Sequence, residues 1–527
     1  MRLIMRRISV AAWLVAAAAM VPSAAPAATV LWNWTAGDRN WSTAGNWTGG
    51  IPTSTNTVIF SDTDAQTGTS PVNIVDANTT VSSLSYTNSS SGSATSYQNS
   101  TVASGLTLTI TNGLNVGAGS VTTNATADLF TTVALTGGGG RVAVTGGNVA
   151  IGHQSNTSAS YYIRALLDMR GLDGFSYNNA AGTFSVAGNY QRRQGGEVYL
   201  AGTNSIVASA LSLGTSGPGV GSSHGKLHLG ATNSLFPNTI TLGKLINGSL
   251  MDFQTGLNNP QAKIRGKDGV SGVGNWYLGW NSDPNQSASY GSATNDFSGG
   301  ILDASVTNLY VGYMSGGAPN GARTAIGNFI MGTNQNNSLV VRNLFVALNS
   351  AAAGSTGTGS TSTGNFVVGG GTVTATAVTL AQPGSYVANG TLTLSSGASM
   401  NVSNSITSGG NSTISVSDAT LNVGGVMGSA TANIGTLNLS NATLGLTLTA
   451  PGGNTNAAVF AGALNISGPA GSTVIKINST NAPGQYPLIA YGSLGGRDLA
   501  AWLCWHRLAP RRRSSTTSPV SRSLWMW

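Results

Sequence analysis

Four short stretches hold residue types that could do chemistry. QRRQGGE (191–197) gathers Arg192, Arg193 and Glu197, the last being the only glutamate in residues 29–496. Acid–base work on a polysaccharide needs carboxylates grouped on one face. A lone glutamate leading into the strand VYL reads better as part of a solvated turn. GSSHG (221–225) matches the nucleophile elbow, with Ser223 at its centre, but that elbow needs a strand-to-helix turn with an acid and a histidine arriving later. Here a Gly/Ser turn sits between alternating strands. His224 and His228 are four apart, yet they fall in a loop and at a strand start with no third ligand near in sequence, which disfavours zinc. Asp62 and Asp64 in SDTD (61–64) could hold calcium weakly, without the glycine-rich calcium repeat. No phosphate-cradling loop is present. The expectation is no catalytic residue, no cofactor and no metal.

The other candidates are aromatic. WNWTAGDRNWSTAGNWTGGIP (32–52) places Trp32, Trp34, Trp41 and Trp47 close together, three of them directly after an asparagine. Flat rings can stack on sugar faces. They can also roof the end of a repetitive structure, whose bare core and unpaired backbone must be covered. A position near the chain start favours the roof. GNWYLGW (274–280) puts Trp276, Tyr277 and Trp280 beside a glycine turn, as a sugar platform or, preferably, as cover for a coil edge. Tyr310, inside NLYVG, reads as ordinary packing.

The elements that must position these residues are strands. TLTIT (107–111), RVAVTGGNVAI (141–151), TLTL (391–394) and TLNLS (436–440) alternate with period two between Gly, Asn-Gly or Ser-Gly turns. YYIRALLDMRGL (161–172) is the nearest approach to a helix and fits two strand pieces better. Repeats carry more weight. YLAGTNSIVASALSLG (199–214) aligns without a gap on HLGATNSLFPNTITLG (228–243), TISVSDATLNV (413–423) on TLNLSNATLGL (436–446), and GNFIMG (327–332) on GNFVVG (364–369). NLYVG (308–312), NLFVA (343–347) and AVTLA (377–381) form a further set. A unit of about 20–30 residues cannot bury its own apolar face, but stacked copies can. The fold expected is all-β, a parallel β-solenoid with right-handed coils and a Trp-rich N-terminal cap. At about 25 residues per coil the rod would be on the order of 80–90 Å long.

Composition fits that architecture and excludes others. Charged residues are only 7% of 527, and glycine supplies 73. The formal charge of +8 belongs to the ends: Arg2, Arg6 and Arg7 at one, and Arg497, Arg507, Arg511, Arg512, Arg513 and Arg522 against Asp498 at the other. Residues 29–496 are neutral, which removes the footprint for a nucleic-acid partner. MRLIMRRISVAAWLVAAAAMVPSAAPA has the basic start, short apolar core and small-residue end of a secretory signal peptide, cleaved near Ala27 or Ala28. No later stretch is apolar enough to cross a membrane as a helix. The one cysteine, Cys504, lies in the tail, so the body has no internal disulfide.

The organisation expected is therefore a signal peptide (1–28), a cap (29–70), a solenoid (71–349), a flexible Gly/Ser/Thr insertion (350–364), further coils (365–496) and a basic tail (497–527). The tail is unlike the rest. Read from the second base of each codon, WLCWH (502–506) would become a Gly-rich run like the coils, so a shifted reading frame is favoured over a genuine anion-binding tail.

The opening WNWTAGDRNWSTAGNWTGGIPTSTNTVIF, the LDMRGLDGFS and YLAGTNSI…LSLG coils, KDGVSGVGNWYLGW and NDFSGGILDASVTNLYVG together resemble bacterial secreted proteins with autotransporter-associated β-strand repeats. The resemblance covers nearly all of 29–496. It implies a passenger-like β-helix outside the cell, with adhesive or matrix roles and an extracellular glycan or matrix partner. The chain departs from the family at its end, where neither an outer-membrane barrel nor a Pro-Glu-Pro sorting tail is seen. The function expected is a non-enzymatic surface or matrix protein or adhesin. The alternatives are a carbohydrate-binding protein using the Trp clusters and a polysaccharide-degrading β-helix.

Overall fold

The computed structural model describes residues 28–61, 72–88, 95–117, 129–152, 163–188, 194–215, 224–282, 290–316, 323–351, 359–448, 457–478, 486–496 and 522–526. Arg192, Arg193, Asp62, Asp64, Ser223, Cys504 and nearly all of the expected signal peptide lie outside them.

Three parallel ladders run the length of the molecule and form three faces. The first passes from Thr29–Trp32 through Thr57–Ser61, Ser83–Thr87 and Leu114–Val116 to the Val273–Asn281 strand and on to Tyr486–Gly496. The second includes Gln194–Tyr199, Gly225–Leu229, Ser249–Phe253, Tyr290–Phe297, Thr324–Met331 and Thr361–Val368 in order. The third includes Gln261–Ile264, Ser399–Val402, Thr420–Val423 and Thr443–Leu446. Strand segments of successive coils stack on each face, some strands running across more than one face, and alternate side chains point into the shared core. Phe366, Leu392, Ile414, Leu437 and Leu464 stand one above another there, all fully buried. Each such side chain is worth about 1.5–3 kcal/mol over exposure.

The repeats read from the sequence set the register. Asn204 pairs with Asn233 and Leu213 with Leu242, as the first alignment requires. Thr413 lies over Thr436 and Thr420 over Thr443. Gly327, Asn328 and Phe329 lie over Gly364, Asn365 and Phe366, and Asn308 over Asn343. Amides form rungs between coils: Asn308 Nδ2 donates to Asn275 Oδ1 at 3.0 Å and Asn343 Nδ2 to Asn308 Oδ1 at 2.9 Å.

Several boundaries differ from expectation. Coil length is not uniform: stacked asparagines are 21 residues apart at Asn401 and Asn422 but 37 apart at Asn328 and Asn365. Longer coils mean fewer of them, about sixteen along the first face, so at ~4.8 Å per coil the rod is on the order of 70–75 Å. Cap and solenoid are not separate, because Thr29 pairs in parallel with Thr57 and the ladder begins there. Of the insertion expected at 350–364, residues 352–358 lie outside the described residues, while Thr361–Val368 is a strand paired on both sides. The stretch expected as two strand pieces falls, from Ile163 on, in one continuous strand, Ile163–Val186, whose pairing shifts register between Asn179 and Thr183. In the tail, Arg522–Met526 pairs antiparallel on the last coil, a backbone contact that any extended sequence can make.

Candidate functional surfaces

The opening tryptophans close the first coil. Trp32, Trp41 and Trp47 are buried, with ring centroids 4.8 Å (Trp32–Trp47) and 5.1 Å (Trp41–Trp47) apart in edge-on contact. All three pack on Phe60, which stacks in turn on Tyr86. Trp41 Nε1 donates to Asn73 Oδ1 at 2.7 Å and Trp47 Nε1 to Trp41 O at 2.9 Å. Asn46, wholly buried, donates to Asn40 O, while its own Oδ1 accepts from the Ala36 amide. Trp34 differs: it is half-buried, with the Arg39 guanidinium 5.5 Å from its ring centre. A buried ring has no face to offer a sugar, so of the four only Trp34 retains any accessible ring.

The second aromatic stretch divides by strand alternation. Trp276 points inward, fully buried and edge-on to Phe297 and Phe329. Neither a platform nor a coil-edge cover describes it; it is core. Tyr277 and Trp280 point outward and join a stack that the sequence reading missed. Tyr277 lies over Tyr310 (4.8 Å, 12° between planes) and Tyr310 over Phe345 (4.8 Å, 8°). Trp280 stacks on Tyr277 at 4.6 Å, and the Lys244 ammonium sits 4.2 Å from the Trp280 ring centre. Tyr313 lies alongside, 4.9 Å from Tyr310. Tyr310 thus packs as an outward rung between Tyr277 and Phe345. The stretches NLYVG and NLFVA already aligned these rings; what sequence alone lacked was which side of the strand faced out.

This geometry constrains chemistry. Within the stack, ring faces are spent on one another, so a pyranose could reach only ring edges, the tyrosine hydroxyls and the neighbouring Asn275–Asn308–Asn343 amides. Burial, then the neighbouring phenols Tyr310 and Tyr313, push Tyr277 up to about 12.

On the second face, coil register assembles an ionisable cluster that was not expected. Asp168, Tyr199, His228 and Asp252 form one outward row across four coils. The His228 ring stacks on Tyr199 at 4.3 Å, and the Arg170 guanidinium covers the Tyr199 ring at 4.4 Å while pairing with Asp168 at 2.6 Å. Glu197 is therefore no solvated turn. Its carboxylate accepts from the Tyr199 hydroxyl at 2.9 Å and lies 3.0 Å from His228 Nε2. Two carboxylates on one face are what a glycosidase needs, but both are bonded to the same imidazole. Burial would raise Glu197; the hydrogen bonds from Tyr199 and His228 outweigh it and hold the group below the usual glutamate value, ionised and unsuited to donate a proton. His224, at the start of the neighbouring strand, is pushed down by burial and then by Lys226 and Arg164. Among the described residues, no three His, Cys, Asp or Glu side chains are arranged to hold a metal ion. Among the same residues, no helix is long and apolar enough to cross a membrane.

No family model matches the chain, nor does any curated protein sequence or solved structure.

Proposed function

We propose that this chain is an exported, non-enzymatic β-solenoid that serves as a cell-surface or extracellular-matrix structural protein or adhesin. The observation that carries this reading is where its polar and aromatic side chains are spent. Amide rungs, ring stacks and the ionic row all join one coil to the next, in a ladder that runs from Thr29 to Gly496. Side chains used this way stiffen a rod. The basic, apolar and small-residue order of 1–28 supports export, and the coil sequences' resemblance to autotransporter-associated repeats supports display outside the cell.

A carbohydrate-binding role is the second reading. It is favoured by the row of phenol hydroxyls at Tyr277, Tyr310 and Tyr313 beside the amide rungs, and it would be edge-on hydrogen bonding, not face stacking. The test is to express the full chain with its N-terminus, locate it by fractionation, and screen the purified rod on a glycan array and a polysaccharide panel. Extracellular recovery with no turnover supports the proposal. Depolymerisation that disappears in Glu197→Gln would overturn it in favour of an enzyme.

A further inference from the structure

Tyr277 and Tyr310 belong to successive coils and lie face to face, 4.8 Å between centroids and 12° between planes. Tyr313 lies 5.9 Å from Tyr277 and 4.9 Å from Tyr310, also near parallel. All three are outward-facing and half-buried, so small oxidants reach them while the strands hold them in place. We infer that this trio is a site of oxidative cross-linking, in which Tyr277 couples to Tyr310 or Tyr313 and staples one coil to the next as dityrosine.

The chemistry balances with a haem peroxidase and hydrogen peroxide as the oxidising couple. Two phenols each give up one electron and one proton, and the peroxide is reduced to two waters. The two ring radicals join through one ortho carbon each, forming a single carbon–carbon bond. The two displaced ortho hydrogens then move to the oxygens and restore both phenols. Radical density in a phenoxyl ring lies in lobes above and below its plane, so the bond begins to form face to face. A stacked pair is already in that arrangement, and no diffusive encounter is needed. Because burial and the neighbouring phenols hold Tyr277 protonated, its proton must leave with the electron, to the solvent that reaches the row. Tyr97 and Tyr290 are more exposed, at 37% and 51%, so accessibility alone would direct oxidation to them. The stack directs it to the trio.

The proposal goes beyond the structural role. Only its setting, contact with peroxide outside the cell, depends on export; the coupling does not. The test is therefore made on the purified full chain with haem peroxidase and limiting peroxide, read by dityrosine emission and by mass spectrometry of the digest. The expected product is a monomer in which the Tyr277 peptide is joined to the Tyr310–Tyr313 peptide. Tyr277→Phe should lose that inter-coil link while remaining folded, because Phe345 already occupies a rung of the same row. Mixing labelled and unlabelled chains should give no mixed-label link at these positions. Cross-links confined to Tyr97 or Tyr290, links only between molecules, or an unchanged yield in Tyr277→Phe would each overturn the assignment.

Discussion

His228 Nδ1 lies 2.6 Å from Asp252 Oδ1, while its other ring nitrogen, Nε2, lies 3.0 Å from Glu197 Oε1, so one imidazole joins three successive coils. Burial alone would lower its pKa. The hydrogen bond and charge of Asp252, then those of Glu197, outweigh burial and raise it above the ordinary 6.5. A histidine raised in the fold gives stability that is fully present below 6.5 and is lost as pH rises through the folded value. Glu197, lowered from 4.5, gives stability present above 4.5 and lost as pH falls through its folded value. Both contributions coexist between those two ordinary values. Denaturant midpoints should decline on the alkaline side, and His228→Gln should remove most of that decline. Parallel declines in parent and variant would place the titrating group elsewhere.

Adjacent residues in one strand should respond very differently to truncation. Trp276 is core and Tyr277 is a rung on the outside. Trp276→Ala should cost about 3–5 kcal/mol, the usual range for emptying a large aromatic site. Tyr277→Ala removes stacking contacts that water partly replaces and should cost about 1–2 kcal/mol. Chemical unfolding of both variants checks the order. A reversal would mean that the outward stack, and not the core, dominates local stability.

The amide rungs should be sensitive to charge as well as to size. Asn308 donates to Asn275 and accepts from Asn343, so it uses both ends of its amide. Asn308→Asp keeps the shape but loses the donor and sets a carboxylate against the Asn275 carbonyl oxygen. A loss of about 1–3 kcal/mol is expected at neutral pH, partly recovered in acid as the carboxyl takes up a proton and can donate again. A midpoint for this variant that does not respond to acid would count against the rung.

The fold was legible because a solenoid writes its register into its repeats. Gapless alignment already paired Asn204 with Asn233 and Leu213 with Leu242, and stacking follows. The same alignment sets Tyr199 over His228, the first half of the ionic row, but nothing short-range ties Asp252 to His228. Those two are 24 residues apart in a chain whose coil length varies, so sequence spacing could not bring them together. Trp276 and Tyr277 were ambiguous for a local reason. Alternation says that they face opposite sides, and only the neighbouring coils say which side is in.

One buried polar contact ties the cap to the coil beneath it. Trp41 is 1% exposed and Asn73 likewise, and the indole N–H donates to the amide oxygen. Asn73 Nδ2 in turn donates to Asn99 O on the next coil, so the residue ties roof to ladder. Asn73→Leu leaves the indole N–H buried without a partner, at about 1–3 kcal/mol. Trp41→Ala should cost about 3–5 kcal/mol. Both losses should appear as reduced protection of Val58 and Leu84 amides in hydrogen exchange, because uncovering the end exposes the first coils. If Trp41→Ala abolished glycan binding with an unchanged melting curve, the residue would be a ligand platform and not a roof.

Five successive coils leave the first face through a left-handed residue, and these stack as a column of Gly243, Gly279, Gly312, Ala347 and Ala381. The corner is imposed by stacking, since each must turn where its neighbour turns. At Gly312 an added Cβ would lie 2.0 Å from the Thr363 carbonyl oxygen, where φ is +75°. Gly312→Ala therefore combines left-handed strain with a backbone clash and should cost about 2–4 kcal/mol. Ala347, one coil on, bears a positive φ of 61° but packs its methyl against Ala381 and Ala388. Ala347→Gly relieves that strain, loses a small contact and frees the unfolded chain, three effects of similar size. Its midpoint should stay within about 1 kcal/mol of the parent. The two substitutions thus distinguish a corner fixed by its neighbours from one that any small residue can fill. Equal stability of Gly312→Ala and the parent would show that this turn can relax independently, and coil stacking would no longer explain the conformation.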